Sequence, residues 1–308
     1  MPTLTVDGQT ITVADGATIL DASRVLGIDV PTLCWYPKLP IVGNCRVCLV
    51  AVEGAPKLLP ACATAVADGM TVATTNEAVG RARRDVLGFL LERYPVEDIP
   101  AHGARNEFEQ YVRQYNVSTT KRSSLPLRDG DSRAGDPVIQ HDMSTCILCT
   151  RCVRACDDIQ VVGVLDVGFR GEHATIIVGA DGNPEHAGCT WCGECVRVCP
   201  TGAIHDILPI AQRANELAPR AQWASVAAAT AEKTVRSVCP YCAVGCQLDL
   251  KVRGDRVLRV ESPWIEEPTP NEGSTCVKGR FGTDFIQHRD RLEKPLIRRG
   301  WVKRDGRW

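Results

Sequence analysis

One run of four cysteines occurs twice in this chain at identical spacing. Cys146-x2-Cys149-x2-Cys152-x3-Cys156 recurs as Cys189-x2-Cys192-x2-Cys195-x3-Cys199. Two copies of one short unit predict a module with pseudo-two-fold symmetry. Two-residue gaps let three thiolates wrap one face of a compact tetrahedral centre. The chain cannot also turn back to the fourth corner, so the fourth ligand comes from the other copy. On that reading Cys146, Cys149, Cys152 and Cys199 form one set, and Cys189, Cys192, Cys195 and Cys156 form another. Pro200 follows the second run directly. It cannot continue a helix's hydrogen bonding and suits a turn at the edge of the centre.

A pair of zinc knuckles also uses C-x2-C pairs. The doubled C-x2-C-x2-C-x3-C run, however, is the bacterial pattern for two [4Fe–4S] clusters. The remaining eight cysteines fall into two further sets. Cys34-x10-Cys45-x2-Cys48-x13-Cys62 fits a [2Fe–2S] cluster gripped by a loop, although its spacing differs from the plant-type run, and spacing alone leaves zinc open. Cys239-x2-Cys242-x3-Cys246-x29-Cys276 fits either one cubane or one tetrahedral zinc. The four sets use all 16 cysteines of the 308 residues. That arithmetic points to ligands throughout and disfavours disulfides.

The N-terminus, Met1-Pro2-Thr3-Leu4, has no basic stretch followed by an apolar run, so no signal peptide is expected. The Arg83-Arg84 and Arg298-Arg299 pairs lie far from the start. No apolar stretch approaches 18 residues, and no membrane span is expected. These readings predict a cytoplasmic chain, where dense cysteines are metal ligands rather than disulfides. Its 36 Lys and Arg balance 37 Asp and Glu, giving a net charge of -1, which argues against a nucleic-acid partner.

The elements are read from periodicity. Residues 3–13 alternate around Asp7-Gly8 and predict a hairpin. Residues 17–26 have helical spacing, and Gly27 suits the helix end. Strands are expected at 48–53 and 69–73, giving a small mixed sheet crossed by one helix over residues 1–78. Residues 79–137 read as a helix through 78–94 and then a connecting loop at Asn116–Pro137. The doubled module occupies 138–210, a polar Ala-rich linker 211–234, and the last cysteine set 235–291. Residues 292–308 are basic.

The x10, x2 and x13 spacing, with the hairpin and helix before it, resembles the N-terminal region shared by three families. These are the large iron–sulfur subunit of complex I, iron hydrogenases, and the alpha subunit of cytoplasmic NAD-dependent formate dehydrogenases. Val238-Cys-Pro-Tyr-Cys-Ala-Val-Gly-Cys246, with Gly273-Ser-Thr-Cys-Val-Lys-Gly-Arg280, resembles the [4Fe–4S] domain that opens molybdopterin oxidoreductases. The combination resembles the formate dehydrogenase alpha subunit. It implies an α+β multidomain chain made of a β-grasp [2Fe–2S] domain, a bacterial 2[4Fe–4S] ferredoxin-like domain and a molybdopterin-type [4Fe–4S] domain. It also implies partners: flavin- and NAD-binding diaphorase subunits, and a pterin-binding catalytic domain or subunit carrying molybdenum or tungsten. Lys278 sits in the family's Cys-x-Lys-Gly-Arg motif, where relatives place a lysine between cubane and pterin. By the same resemblance, electrons from formate would enter at the Cys239 set and pass through the two ferredoxin-like sites. They would then reach the Cys34 set or a flavin subunit. The alternative is an electron-transfer adaptor of a hydrogenase or another dehydrogenase.

Two departures from the family stand out. Its further cluster, held by one histidine and three cysteines, would fall on Tyr94, Asp98, Ala101 and Glu107, none of them a thiolate or imidazole. That cluster is expected to be absent, and the nearby His102 reads as a surface residue. The catalytic pterin machinery is also missing, so residues 292–308 are either the start of a pterin-binding domain in a truncated piece or the tail of a free-standing subunit. Gly-rich phosphate loops do not occur, which puts NAD and flavin on partner chains. His141, His173, His186 and His205 read as surface or supporting residues, and Asp157-Asp158 as a charged turn. The basic end, with Arg298, Arg299, Lys303, Arg304 and Arg307, reads as a cut edge or a docking surface.

Overall fold

The structure is a computed structural model that describes residues 1–119, 126–128, 136, 138–206, 233–288, 290–295, 300 and 303–307. Strands β1 (Thr3–Val6) and β2 (Gln9–Thr12) form the expected antiparallel hairpin, with Val6 opposite Gln9. Asp7 and Gly8 both have positive φ, 47° and 82°, as a two-residue type I′ turn requires. Strand β5 (Met70–Ala73) pairs parallel with β1 and antiparallel with β3 (Leu49–Val52). Beyond β3 lies β4 (Leu59–Pro60), giving the order β2-β1-β5-β3-β4. β4 is too short to leave an alternation, and its Pro60 sits where a strand tolerates proline, at the sheet edge.

Helix α1 (Ile19–Val25) starts in a capping box. Thr18 accepts from the Asp21 backbone N–H, and the Asp21 carboxylate accepts from that of Thr18. The helix buries Ile19, Leu20 and Ala22 in one core with Leu4, Val6, Val50 and Val72 of the sheet. Helix α2 (Glu77–Leu91) buries Val79, Arg83, Leu87 and Leu91 at four-residue spacing, one stripe of a helix. Helix α3 (Glu107–Gln114), absent from the sequence reading, packs Phe108 and Val112 into the same core, with Leu33 and Val47 of the first cysteine loop.

The doubled module is closed by β6 (Ile139–His141) pairing antiparallel with β9 (Ile204–Asp206). Between them run α4 (Arg151–Arg154), the hairpin β7 (Leu165–Gly168) with β8 (Thr175–Val178), and α5 (Glu194–Val198). The last region is a three-stranded antiparallel sheet, β10 (Lys233–Val238), β11 (Gln247–Arg253) and β12 (Arg256–Glu261), followed by α6 (Val277–Phe281). β10 begins inside the segment expected as the 211–234 linker, whose residues before Lys233 lie outside the described residues. So do Arg298, Arg299 and most of the Asn116–Pro137 loop. A small core of Tyr36, Leu39, Ala155, Val198 and Ile265 draws on all three cysteine-bearing regions and joins them.

Candidate iron–sulfur sites

The two copies of the cysteine run have the same backbone. Leu148 and Trp191, two residues after the first cysteine of each copy, have φ of 54° and 50°. Thr150 and Gly193, two residues further on, have φ of 61° and 76°. These left-handed residues curl each loop inward. In each copy a backbone N–H then donates to the first sulfur at 3.4 Å, Leu148 to Cys146 Sγ and Trp191 to Cys189 Sγ. Val164 N–H donates likewise to Cys156 Sγ at 3.3 Å. Backbone donors aimed at sulfur favour the thiolate a cluster needs.

Cys146, Cys149, Cys152 and Cys199 line one enclosed space, with His141, Thr150 and Ile176 beside them. Three come from the first copy and Cys199 from the second. Burial pushes the Cys146 and Cys149 thiols up to about 12, and Cys152 well above the ordinary range. Lone thiols there hold their protons, and a bound metal centre must displace them. Cys156, Cys189 and Cys195 pack in the same core. Cys192 stands at the edge of that region, where Arg280 Nε donates to its carbonyl at 2.9 Å.

In the first loop, Cys48 Sγ and Cys62 Sγ are 3.4 Å apart. Hydrogen bonds from Cys45 and Cys62 hold Cys34 far below the usual thiol range, and the same bonds push those two donors up. All four members of this set therefore interact. In the last region, Cys239 N–H donates to Cys246 O at 2.8 Å. Cys246 lies within electrostatic reach of Cys239, Cys242 and Cys276, although burial is the first cause of its raised pKa. Gly279 brings α6 against Cys239, where an added Cβ would stand 3.5 Å from the sulfur. Cys242 and Cys276 are exposed, as are the neighbouring Val238, Tyr241 and Val244. Lys278 is exposed at the second residue of α6.

Among the described residues, no group of three or more His, Cys, Asp or Glu side chains is arranged to hold a single metal ion. A cluster spaces its thiolates more widely than one ion does, because inorganic sulfide fills the space between the irons. The donor set and the sulfur-directed N–H groups fit [2Fe–2S] and [4Fe–4S] clusters.

At the positions of the family's histidine-and-cysteine cluster, Tyr94 is buried and donates to Glu109 at 3.0 Å. Glu109, fully buried, pairs with Arg105. Asp98 and Ala101 are exposed, and Glu107 binds Arg151. Tyr94, Glu107, Cys199 and His205 line a cavity of about 240 Å³. His102, His173 and His186 lie at the surface. His141 and His205 are instead buried on neighbouring strands of the β6–β9 pair, which corrects any surface reading of those two. Asp157 and Asp158 sit exposed in a helical turn.

The sequence reading missed the buried arginines. Arg151, Arg154 and Arg280 are each under a tenth exposed. They and Arg197 reach from one cysteine-bearing region into another. Arg151 donates to Thr32 O at 3.3 Å and Arg197 to Tyr36 Oη at 3.1 Å. Surface pairs reinforce the contact, Arg24 with Glu266 and Lys38 with Glu272, both at 2.5 Å. The one available signal was the repeat itself, since Cys-Val-Arg occurs in both copies.

Residues 1–77 match the 2Fe-2S iron-sulfur cluster binding domain. Residues 136–205 match the ferredoxin-like domain of NADH-quinone oxidoreductase subunit 3, and residues 232–288 the molybdopterin oxidoreductase Fe4S4 domain. The chain is thus a mixed α/β protein built from three iron–sulfur domains, the class that its cysteine spacing and resemblance implied. It is 39% identical over 299 residues to the NADPH-Fe(3+) oxidoreductase subunit alpha of Geobacter sulfurreducens, covering 97% of this chain and 33% of that protein. It is 36% identical to a subunit of the NADH-quinone oxidoreductase of Rhizobium meliloti, covering 96% of this chain and 33% of that one. It is 38% identical over 66% of its length to the NADP-reducing hydrogenase subunit HndD of Solidesulfovibrio fructosivorans, covering 36% of that protein. The chain therefore spans about a third of the curated relatives it matches. A chain from an NAD+-reducing [NiFe]-hydrogenase aligns with a TM-score of 0.59 at 25% identity, covering 67% of this chain and 87% of that one. No helix among the described residues is long and apolar enough to cross a membrane.

Proposed function

We propose that this chain is the electron-conducting iron–sulfur part of a cytoplasmic NAD(P)-linked oxidoreductase. The observation that carries the proposal is the small core shared by all three cysteine-bearing regions, which fixes their separation. An electron carrier needs such fixed spacing, and separate structural zinc modules do not. The proposed ligands are Cys34, Cys45, Cys48 and Cys62 for one [2Fe–2S] cluster. Three [4Fe–4S] clusters take Cys146, Cys149, Cys152 and Cys199; Cys189, Cys192, Cys195 and Cys156; and Cys239, Cys242, Cys246 and Cys276. The clusters supply one-electron redox chemistry. The chain's own residues bury them, aim N–H groups at their sulfurs and set their distances.

The finer reading is the iron–sulfur portion of a formate dehydrogenase alpha subunit. It is supported by the molybdopterin-type domain at residues 232–288 and by the exposed apolar residues around Cys242, a face suited to a pterin-binding domain or subunit. Lys278 would then stand between cluster and pterin. The likeness to two hydrogenase chains favours a second reading, an adaptor that serves a hydrogenase and its flavin and NAD partners.

A metal count on protein purified without oxygen tests the proposal. The four sites require about 14 iron per chain. Several zinc and little iron would overturn it. Reduction of the clusters by formate once a molybdenum- or tungsten-pterin subunit is added, but not by hydrogen with a hydrogenase subunit, would select the first reading over the second.

A further inference from the structure

The buried arginines differ in what balances their charge. Arg151 pairs with Glu107 at 2.9 Å, Arg197 with Glu194 at 2.9 Å and Arg280 with Glu194 at 3.0 Å. Arg154 is 7% exposed and has no carboxylate within ion-pair distance among the described residues. Its donors go to oxygens that carry no net charge. Nη1 donates to Pro40 O at 2.7 Å, and Nε to Thr150 O and Oγ1, each at 3.3 Å. Nη2 donates to Cys34 O at 2.6 Å and to Cys149 O at 3.3 Å. One nitrogen thus touches a cysteine of the first loop and a cysteine of the doubled module. A buried cation without a counter-ion is strongly unfavourable. Four thiolates around a cluster leave a net negative centre, and here two such centres flank one guanidinium.

We propose that Arg154 is a positioning residue shared by the Cys34 and Cys149 sites: its charge is the common counter-charge of both, and its Nη2 joins the two cysteine carbonyls into one hydrogen-bonded path. This rests on the cluster reading of those sites. An electron added at either site is stabilised by the same cation, so both potentials are set together. Arg280, at the other junction, shares the Glu194 carboxylate with Arg197 and serves as a clamp.

The test is a dithionite redox titration of the full chain, loaded with iron and sulfide under argon and followed by electron paramagnetic resonance. In Arg154→Gln, the reduced-to-oxidised ratio at a fixed potential falls on the order of tenfold, about 59 mV for a one-electron couple, for the [2Fe–2S] signal and one [4Fe–4S] component. The component from the Cys239 site does not move. Arg154→Lys keeps the charge and restores both potentials. Unshifted potentials in Arg154→Gln with iron retained would overturn the proposal. If Arg154→Gln loses iron, Arg154→Lys decides: wild-type potentials uphold the shared charge, and a shift as large as that expected for Gln overturns it. A wild-type chain that takes up no iron overturns the cluster reading beneath it.

Discussion

The two copies of the cysteine run share a backbone and present opposite charges on it. Where the first copy has Thr150-Arg151 between its second and third cysteines, the second has Gly193-Glu194. Arg151 faces the first domain, through Thr32 O and the ring of Tyr36. Glu194 faces the last domain, through Arg280. The repeat behaves as an adaptor: its loops are built once for sulfur geometry and then varied at two positions to fit two different neighbours. The neighbours decide the residue type. Gly193 lies so close to α6 that an added Cβ would be 2.3 Å from Arg280 Cδ and 2.8 Å from Phe281 Cζ.

The sharpest way to break this comparison is to truncate the charged residue in each copy. Glu194 is 1% exposed and holds both Arg197 and Arg280. Glu194→Ala leaves two buried cations unpaired and should lower stability by about 3–5 kcal/mol. Arg151→Ala removes a buried cation but leaves Glu107, whose side chain is 45% exposed and resolvates. Its loss should be smaller, on the order of one net hydrogen bond to a charged group, about 1.5–3 kcal/mol. Anaerobic urea unfolding of the two variants checks the order, and equal losses would remove the asymmetry between the copies. Next comes Gly193→Ala. A left-handed φ alone should cost about 1–2 kcal/mol, and the contact with Arg280 adds to that loss, confined to the junction. Faster deuterium exchange in α6, with β1 and β5 unchanged, is the expected signature.

Much of this architecture is legible in the residues alone. The cysteine spacing predicts that Cys199 joins the first copy, and Cys199 does line one space with Cys146, Cys149 and Cys152. Alternation around Asp7-Gly8 carried the hairpin, because a two-residue turn with two positive φ values admits few sequences. Helix α3 was missed although it had a signature, Asn106 followed three residues later by Glu109. Only the first half of that exchange forms: Asn106 accepts from the Glu109 N–H, while the Glu109 carboxylate turns to Arg105. The arginine junctions were hidden for a different reason. A buried arginine looks in sequence like any surface arginine, and only the arrival of Cys34 O or Glu194 from a hundred or so residues away defines its role. The recurrence of Cys-Val-Arg in both copies marked the positions but not their different fates.

The smallest effect gives the finest test of the comparison. Thr150→Gly makes the first copy resemble the second at the position where φ is 61°. Glycine relieves the left-handed strain, a gain of about 1–2 kcal/mol. Against this, glycine loses more backbone entropy on folding, by roughly 0.5–1 kcal/mol. The Thr150 hydroxyl also gives up its 3.3 Å bond from Arg154 Nε, a long contact that contributes little. The terms partly offset, and stability should stay level or rise by no more than about 1.5 kcal/mol. The same exchange run backwards, Gly193→Thr, should be worse than Gly193→Ala, because the larger side chain meets Arg280 and Phe281. Unfolding midpoints of the two variants measured side by side check the pair. If Thr150→Gly is as damaging as Gly193→Thr, the two loops are under the same constraint, and the last domain's approach is not what selects glycine in the second copy.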